Sequence, residues 1–311
     1  MALVENFTTI VDTGAGLYPN LYNKIIELTM PALLLKQLLP EFPLIQGRTA
    51  TFAREQGIGT ALGRAAAITQ VAEGGEVLVD FTPFQYITTT PYKIGIRERV
   101  SRELIEDFYL PVIEQQLRRL ARRTAYTIDK DVQTVISAGA GNSVSATGVT
   151  YSYLGVGTNS FSLPGTIGVN DLTQAKSVIE TYGLIADTLC IHPLNANDLQ
   201  RLPQFASQEV YGASNYAAGG IGYEYKGGQV LGLNLLITPV VPAGEAYTIS
   251  TGKNLSASFA PLGFFVIKRP LTVDVDFKKE YDSFDIVSTT RYSPVITYGE
   301  AIYKSLGLRT S

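Results

Sequence analysis

One segment limits the folds open to this chain more than any other: residues 67–107, AITQVAEGGEVLVDFTPFQYITTTPYKIGIRERVSRELIED. Its first part is rich in strand formers, with Val77, Val79, Phe81, Phe84, Tyr86, Ile87, Tyr92, Ile94 and Ile96 set among polar residues. A strand in a globular protein averages ~5–6 residues, so this stretch is several times longer. A ribbon of that length has no core of its own and must rest on another body. Residues 48–56 read as the outgoing strand, 57–75 as a Gly- and Ala-rich tip, and 77–100 as the longer return. Pro83 and Pro91 each remove a backbone donor, which predicts an interruption or a sheet edge.

A long helix follows. Pro111 suits a first-turn position. Val112, Ile113, Leu117, Leu120, Ala121, Thr124, Ile128, Val132, Val135 and Ile136 recur at three- and four-residue steps. Glu114, Gln115, Arg118, Arg119, Arg122 and Arg123 fall off that stripe, and Glu114 precedes Arg118 at a helix-favouring spacing. Gly139 and Gly141 are expected to stop the helix.

Elsewhere the pattern is mixed. Residues 1–46 lack a steady period and read as an arm with short helices, broken at Pro31 and Pro40. Residues 142–168 form a Ser-, Thr- and Gly-rich insertion with no clear period. Asn170 or Asp171 can cap a helix that Gly183 ends. Residues 189–193 read as a buried strand entering a turn, followed by a short helix to Leu202, and 204–228 as a Gly- and Tyr-rich loop. Strands are expected at 233–239, 246–250, 256–260, 264–268 and 271–277, with one long final strand over 284–303. The class is α+β.

At 311 residues and 45% hydrophobic, the chain can bury a sizeable core or two subdomains. Its net charge of −3 makes global nucleic-acid affinity unfavourable, so such contact needs a local patch. One cysteine, Cys190, excludes an intrachain disulfide framework and a cysteine-rich zinc site. No secretory pattern and no apolar run long enough to span a bilayer is seen, so no membrane partner is expected.

The candidate chemical motifs are weak. Gly14-Ala15-Gly16 and Gly139-Ala140-Gly141 continue as neither GxGxxG nor a Walker motif, and read as turns. His192, the sole histidine, stands near Asp198, but no GxSxG elbow supplies a nucleophile, so it reads as a structural histidine at a strand end. Cys190 reads as a buried inert thiol. Asp274 and Asp276 share a strand face and read as solvated rather than as a cation site. No catalytic residue, cofactor or metal is assigned. Arg118, Arg119, Arg122 and Arg123 form the strongest positive cluster, open to both phosphate contact and ion pairing with neighbouring acids.

Three stretches together carry a family resemblance. VAEGGEVLVDFTPFQYITTTPYKIGIRERVSRELIED resembles a loop-return strand entering a spine helix. LIADTLCIHPLNANDLQRL is similar to an axial domain's strand-to-helix turn. The run from GLNLLITPVV to TYGEAI resembles axial return strands followed by a peripheral domain's long strands. In this order they resemble the major capsid proteins of tailed double-stranded DNA viruses, with the Hong Kong 97-like fold.

The resemblance implies an N-terminal arm at 1–46, an extended β-loop at 47–100 and a spine helix at 101–141. An axial domain with inserted loops would span 142–260, and peripheral β-strands 261–311. It implies a virion capsid built of hexamers and pentamers, assembled in the host cytoplasm around double-stranded DNA that is contacted nonspecifically. Arg48, Arg54, Arg64, Glu73, Glu76, Phe81, Phe84 and Tyr86 would make intersubunit contact through the extended loop. Tyr211, Tyr216, Tyr223 and Tyr225 would approach the capsomer axis.

Some members cross-link through a lysine on the loop. Here Lys93, at the loop's base, is the only lysine between Arg48 and Ile96, so no isopeptide network is expected and a cement protein is a candidate partner. The 46 residues before the loop, starting at Met1, point to a separate scaffold protein, and a portal is implied with it. The alternative with the same fold is an encapsulin, a nanocompartment shell enclosing a cargo enzyme.

Overall fold

A computed structural model describes residues 33–55, 84–103, 112–140, 142–144, 150–152, 160–165, 167–181, 183–201, 226–252 and 262–308. In chain order the elements begin with β1 (Glu41–Pro43), β2 (Ala50–Glu55), β3 (Phe84–Thr89), β4 (Tyr92–Ser101) and α1 (Val112–Gly139). Next come β5 (Asn142–Val144), β6 (Thr150–Ser152), β7 (Ser160–Gly165), α2 (Val169–Thr181), β8 (Thr188–Ile191) and α3 (Pro193–Arg201). The chain ends with β9 (Lys226–Val230), β10 (Leu233–Ile237), β11 (Glu245–Ile249), β12 (Gly263–Lys278), β13 (Ser283–Ile296) and β14 (Ile302–Leu308).

Two main sheets result. One is four-stranded in the order β1-β12-β13-β4, and the other six-stranded in the order β7-β14-β11-β8-β10-β9. The ribbon β2-β3 and the small pair β5-β6 stand apart. Helix α1, 28 residues and thus about 42 Å long, buries Leu120, Ala121, Ile128, Val132, Val135 and Ile136. This is the stripe its spacing predicts.

Four polar side chains on α1 tie it to three different bodies. The buried Asp129 carboxylate accepts the backbone N–H groups of Leu34 (2.8 Å), Leu35 (3.3 Å) and Lys36 (3.1 Å). Leu33, Leu34, Leu35, Leu38 and Leu39 thereby enter the main core, so this part of the arm packs on its own chain. Two residues on, Asp131 accepts hydrogen bonds from Tyr92 of β4 and Tyr292 of β13, each at 2.6 Å. Next, Gln133 donates to the Tyr247 hydroxyl of β11 at 2.8 Å, and Ser137 accepts from Lys304 of β14 at 2.7 Å. Asp129, Gln133 and Ser137 follow at four-residue steps along one face, reaching the arm and then the six-stranded sheet, while Asp131 projects from another face to the four-stranded sheet.

Several expectations from the pattern need correction. The return strand is interrupted at Pro91, as its prolines predict, but its two halves go to different partners: β3 pairs with β2, and β4 joins the four-stranded sheet as its edge beside β13. The two strands expected at 264–268 and 271–277 are one, β12, with its register broken around Pro270. Pro270 and Leu271 have no partner in the β12-β13 register and β1 covers only Phe265–Ile267, so the missing prolyl N–H falls at a break in the ladder. The long final strand is two. After β13 the Thr297 and Tyr298 N–H groups both donate to Leu262 O, the chain turns, and β14 crosses into the six-stranded sheet between β11 and β7.

Helix α2 starts at Val169 and not at Asn170 or Asp171. Asp171 instead sits in the first turn and accepts the Gly168 N–H at 2.8 Å, the back-reaching half of a capping box. Gly183 follows with φ +76°, a helix stop that a side chain would strain. Residues 226–228, expected in a loop, lie in β9. The expected strand at 256–260 and most of the loop at 204–228 fall outside the described residues.

Candidate functional site

The polar residues that sequence singled out for chemistry have structural partners. Cys190 is fully buried in β8, and burial pushes its thiol well above the ordinary range. His192 follows that strand. Its Nδ1 accepts the Leu194 N–H at 3.2 Å and its carbonyl accepts the Ala196 N–H at 3.0 Å, so it caps α3. Partial burial holds the imidazole below its usual value. Asp274 and Asp276 are exposed, and Asp276 pairs with Lys278. Among the described residues no three His, Cys, Asp or Glu side chains gather as metal ligands.

The surfaces that remain are suited to contact. The β2-β3 ribbon runs antiparallel from Ala50↔Thr89 to Glu55↔Phe84. Alternation sends Ala50, Phe52 and Ile87 onto Val266 and Val295 of the four-stranded sheet. Phe52 stacks on Phe264 with ring centroids 4.5 Å apart, and Phe42 meets both rings edge-on. Thr51, Ala53, Tyr86 and Thr88 face outward, Tyr86 with 63% of its surface exposed. Among the described residues, the root of the ribbon rests on the four-stranded sheet. Arg48 is exposed just before β2. Arg54 and Phe84 are placed on the ribbon's backbone, at Arg54↔Gln85 and Glu55↔Phe84. Arg64, Glu73, Glu76 and Phe81 lie outside the described residues, as do Tyr211, Tyr216, Tyr223 and Tyr225.

On α1, Arg118, Arg119, Arg122 and Arg123 are all exposed. Arg123 turns toward β4, with Nη1 3.6 Å from Glu98, so the ion-pairing reading applies to it. Arg119 and Arg122 have no ion-pair partner among the described residues.

Sequence reasoning missed the charge organisation of the four-stranded sheet. Asp285, 1% exposed, lies directly opposite Arg99 and is bonded by both Arg99 and Arg97. The Arg99 guanidinium, aided by Arg97 against the cost of desolvation, holds the Asp285 carboxyl below its ordinary value. Arg97 and Arg99 occupy one face of an alternating strand, a signal present in RERV, but their partner lies 186 residues away or more. Also missed was the Glu245 group, where Tyr247 donates to the carboxylate and Lys304 approaches it at 2.8 Å.

Comparisons with known proteins agree with this architecture. A family described as phage capsid protein matches residues 85–305. The capsid of the cyanophage P-SCSP1u is similar in structure, with a TM-score of 0.63 and 12% identity over 88% of this chain and 87% of that one. Mycobacterium phage Bobi gives 0.60 and 12% over 88% and 89%. A virus-like particle from Pyrococcus furiosus gives 0.58 and 11% over 94% and 100%. No curated protein matches the sequence. With well over half of its length matched, and with the two sheets and spanning helix of the Hong Kong 97-like fold, this chain belongs to the phage capsid protein family and is a structural protein of a virion capsid.

Proposed function

We propose that subunits of this chain assemble as pentamers and hexamers into an icosahedral shell around double-stranded DNA. The observation that carries the reading is the phage capsid match across residues 85–305. In this assembly residues 1–46 form an arm, 47–100 the extended loop, 101–141 the spine helix, 142–260 the axial domain and 261–311 the peripheral strands. β14 is then shared, since it pairs in the six-stranded sheet. Arg48, Arg54, Arg64, Glu73, Glu76, Phe81, Phe84 and Tyr86 contact the neighbouring subunit, and the uncovered outer face of Tyr86 supports this. Tyr211, Tyr216, Tyr223 and Tyr225 gather at the capsomer axis. Arg119 and Arg122 meet DNA phosphates nonspecifically, supported by their exposure. The shell has no enzymatic role. It forms in the host cytoplasm with a separate scaffold and a portal, and a cement protein takes the place of covalent cross-links.

Replacing residues 57–82 by a short Gly-Ser turn tests the loop's role. The truncated subunit is expected to keep its circular dichroism spectrum and fail to form capsomers; normal shells from it would overturn the assignment. The contents of native shells test the rest. Double-stranded DNA is the expected content, and a protein cargo would instead identify an encapsulin compartment.

A further inference from the structure

The four-stranded sheet carries positive charge that no carboxylate among the described lining residues offsets. Arg48, Lys93, Lys268, Arg269 and Arg291 surround an open basin of about 700 Å3 at the root of the β2-β3 ribbon. No carboxylate lies among the described residues that line it. Three of the cations are oriented by neutral acceptors. Lys268 Nζ donates to Ile45 O at 3.1 Å, Arg269 Nη2 to Thr289 Oγ1 at 2.8 Å, and Arg291 Nε to Pro91 O at 3.0 Å. These bonds fix the groups without offsetting their charge. Arg97 and Arg99, a few residues along β4, have Asp285 between them; the basin has no counterpart. Like charges held together around an open volume favour an anionic occupant.

The same sheet ends in acid. Asp274, Asp276, Glu280 and Asp282 are all exposed where β12 turns into β13, with only Lys278 and Lys279 among them. At ~3.3 Å per residue, Asp274 lies roughly 17 Å and Asp276 roughly 23 Å along β12 from Arg269. Both separations exceed the screening length of ~8 Å in physiological salt, so this acidic end does not offset the basin of its own copy.

We propose that the basin receives the acidic β12-β13 end of a second copy of this chain. Two different patches then meet, one from each copy, which is a head-to-tail contact of the kind that propagates into rings and closed assemblies. This rests on the shell reading. Protein carboxylates are preferred to nucleic-acid phosphates because the complementary patch is on the same sheet of the same chain, and shell subunits must meet edge to edge. Arg48, Lys93 and Arg269 are exposed and supply the contact's accessible charge, while the half-buried Lys268 and Arg291 set its floor.

Charge reversal in the full-length chain tests the contact. Arg48→Glu with Lys93→Glu, and separately Asp274→Lys with Asp276→Lys, should each lower the assembled fraction by about tenfold or more at physiological salt. Both pairs combined should restore assembly, read by sedimentation and electron microscopy. The milder Arg48→Gln with Lys93→Gln pair should fall between, which keeps the test decisive if a reversal perturbs folding by circular dichroism. Reversed variants that assemble like the wild type would overturn the contact. So would a combined variant that folds and still does not assemble. Normal shells that retain less DNA would assign the basin to nucleic acid instead. Absence of shells from the wild-type chain would remove the shell reading along with the contact, whereas failure confined to the charge variants leaves that reading standing.

Discussion

At the scale of residues, stability depends on a few buried carboxylates. Asp129 satisfies three backbone N–H groups of residues 34–36, at the start of a 3-10 turn over Leu35–Leu38 whose first donors have no partner within the turn. Asp129→Ala is expected to cost about 2–4 kcal/mol in urea unfolding, because hydrogen bonds to a charged group are among the stronger ones and their loss strands buried donors. Asp285 sets an acid limit. Its folded-state pKa is depressed by Arg99 and Arg97, so its contribution is present above the ordinary carboxylate value near ~3.9 and is lost as pH falls through the folded value. Burial pushes the Asp129 carboxyl upward, which works in the opposite sense over the acid range. Replacing Asp285 by Asn should therefore lower the thermal midpoint at neutral pH and flatten its decline toward acid; an unchanged acid limb would contradict the assignment. Tyr92, Tyr247 and Tyr292 are all pushed up by burial, so stability should also fall as pH rises past ~10, where the unfolded chain ionises first.

At the scale of elements, the sequence showed what local periodicity can show. The stripe on α1, the β2-β3 ribbon, the interruption at Pro91 and the stop at Gly183 were all legible, because each depends on near neighbours. The division of the chain's end between two sheets was not. Residues 284–303 read as one strand because both halves are apolar and β-prone, and the turn at 297–301 is made by bonds to Leu262, far back in the sequence. The basin was invisible for the same reason: Arg48, Lys93, Lys268, Arg269 and Arg291 come from four separate places in the chain. Of the assigned residues, Arg48, Tyr86 and the α1 arginines could be placed on exposed surface, and Arg123, open to both phosphate contact and ion pairing, pairs with Glu98. Gly263 tests the packing of the longest strand pair. A Cβ there would lie 2.1 Å from Val295 O, so Gly263→Ala should part β12 from β13 and cost about 3 kcal/mol by chemical denaturation. A neutral effect would mean that the strands are not so close. Arg119→Gln with Arg122→Gln should leave the fold intact and reduce the salt slope of DNA binding by about 2; an unchanged slope would remove these two side chains from the DNA-facing set.

At the scale of the whole molecule, the subunit is unfinished by itself. Among the described residues its ribbon is anchored at the root, its basin is lined by no carboxylate, and its strand ends are acidic and exposed. Helix α1 binds the two sheets and the arm through adjacent polar anchors, so forces applied at the ribbon reach the six-stranded sheet through a rigid member. Such a subunit is expected to fold on its own core and to associate with copies of itself. The most direct measurement is electron microscopy of the purified full-length protein after size-exclusion chromatography. Closed shells or ring-like capsomers are the predicted result. A 33.7 kDa species that stays monomeric at high concentration, alone and with its scaffold, would contradict the account.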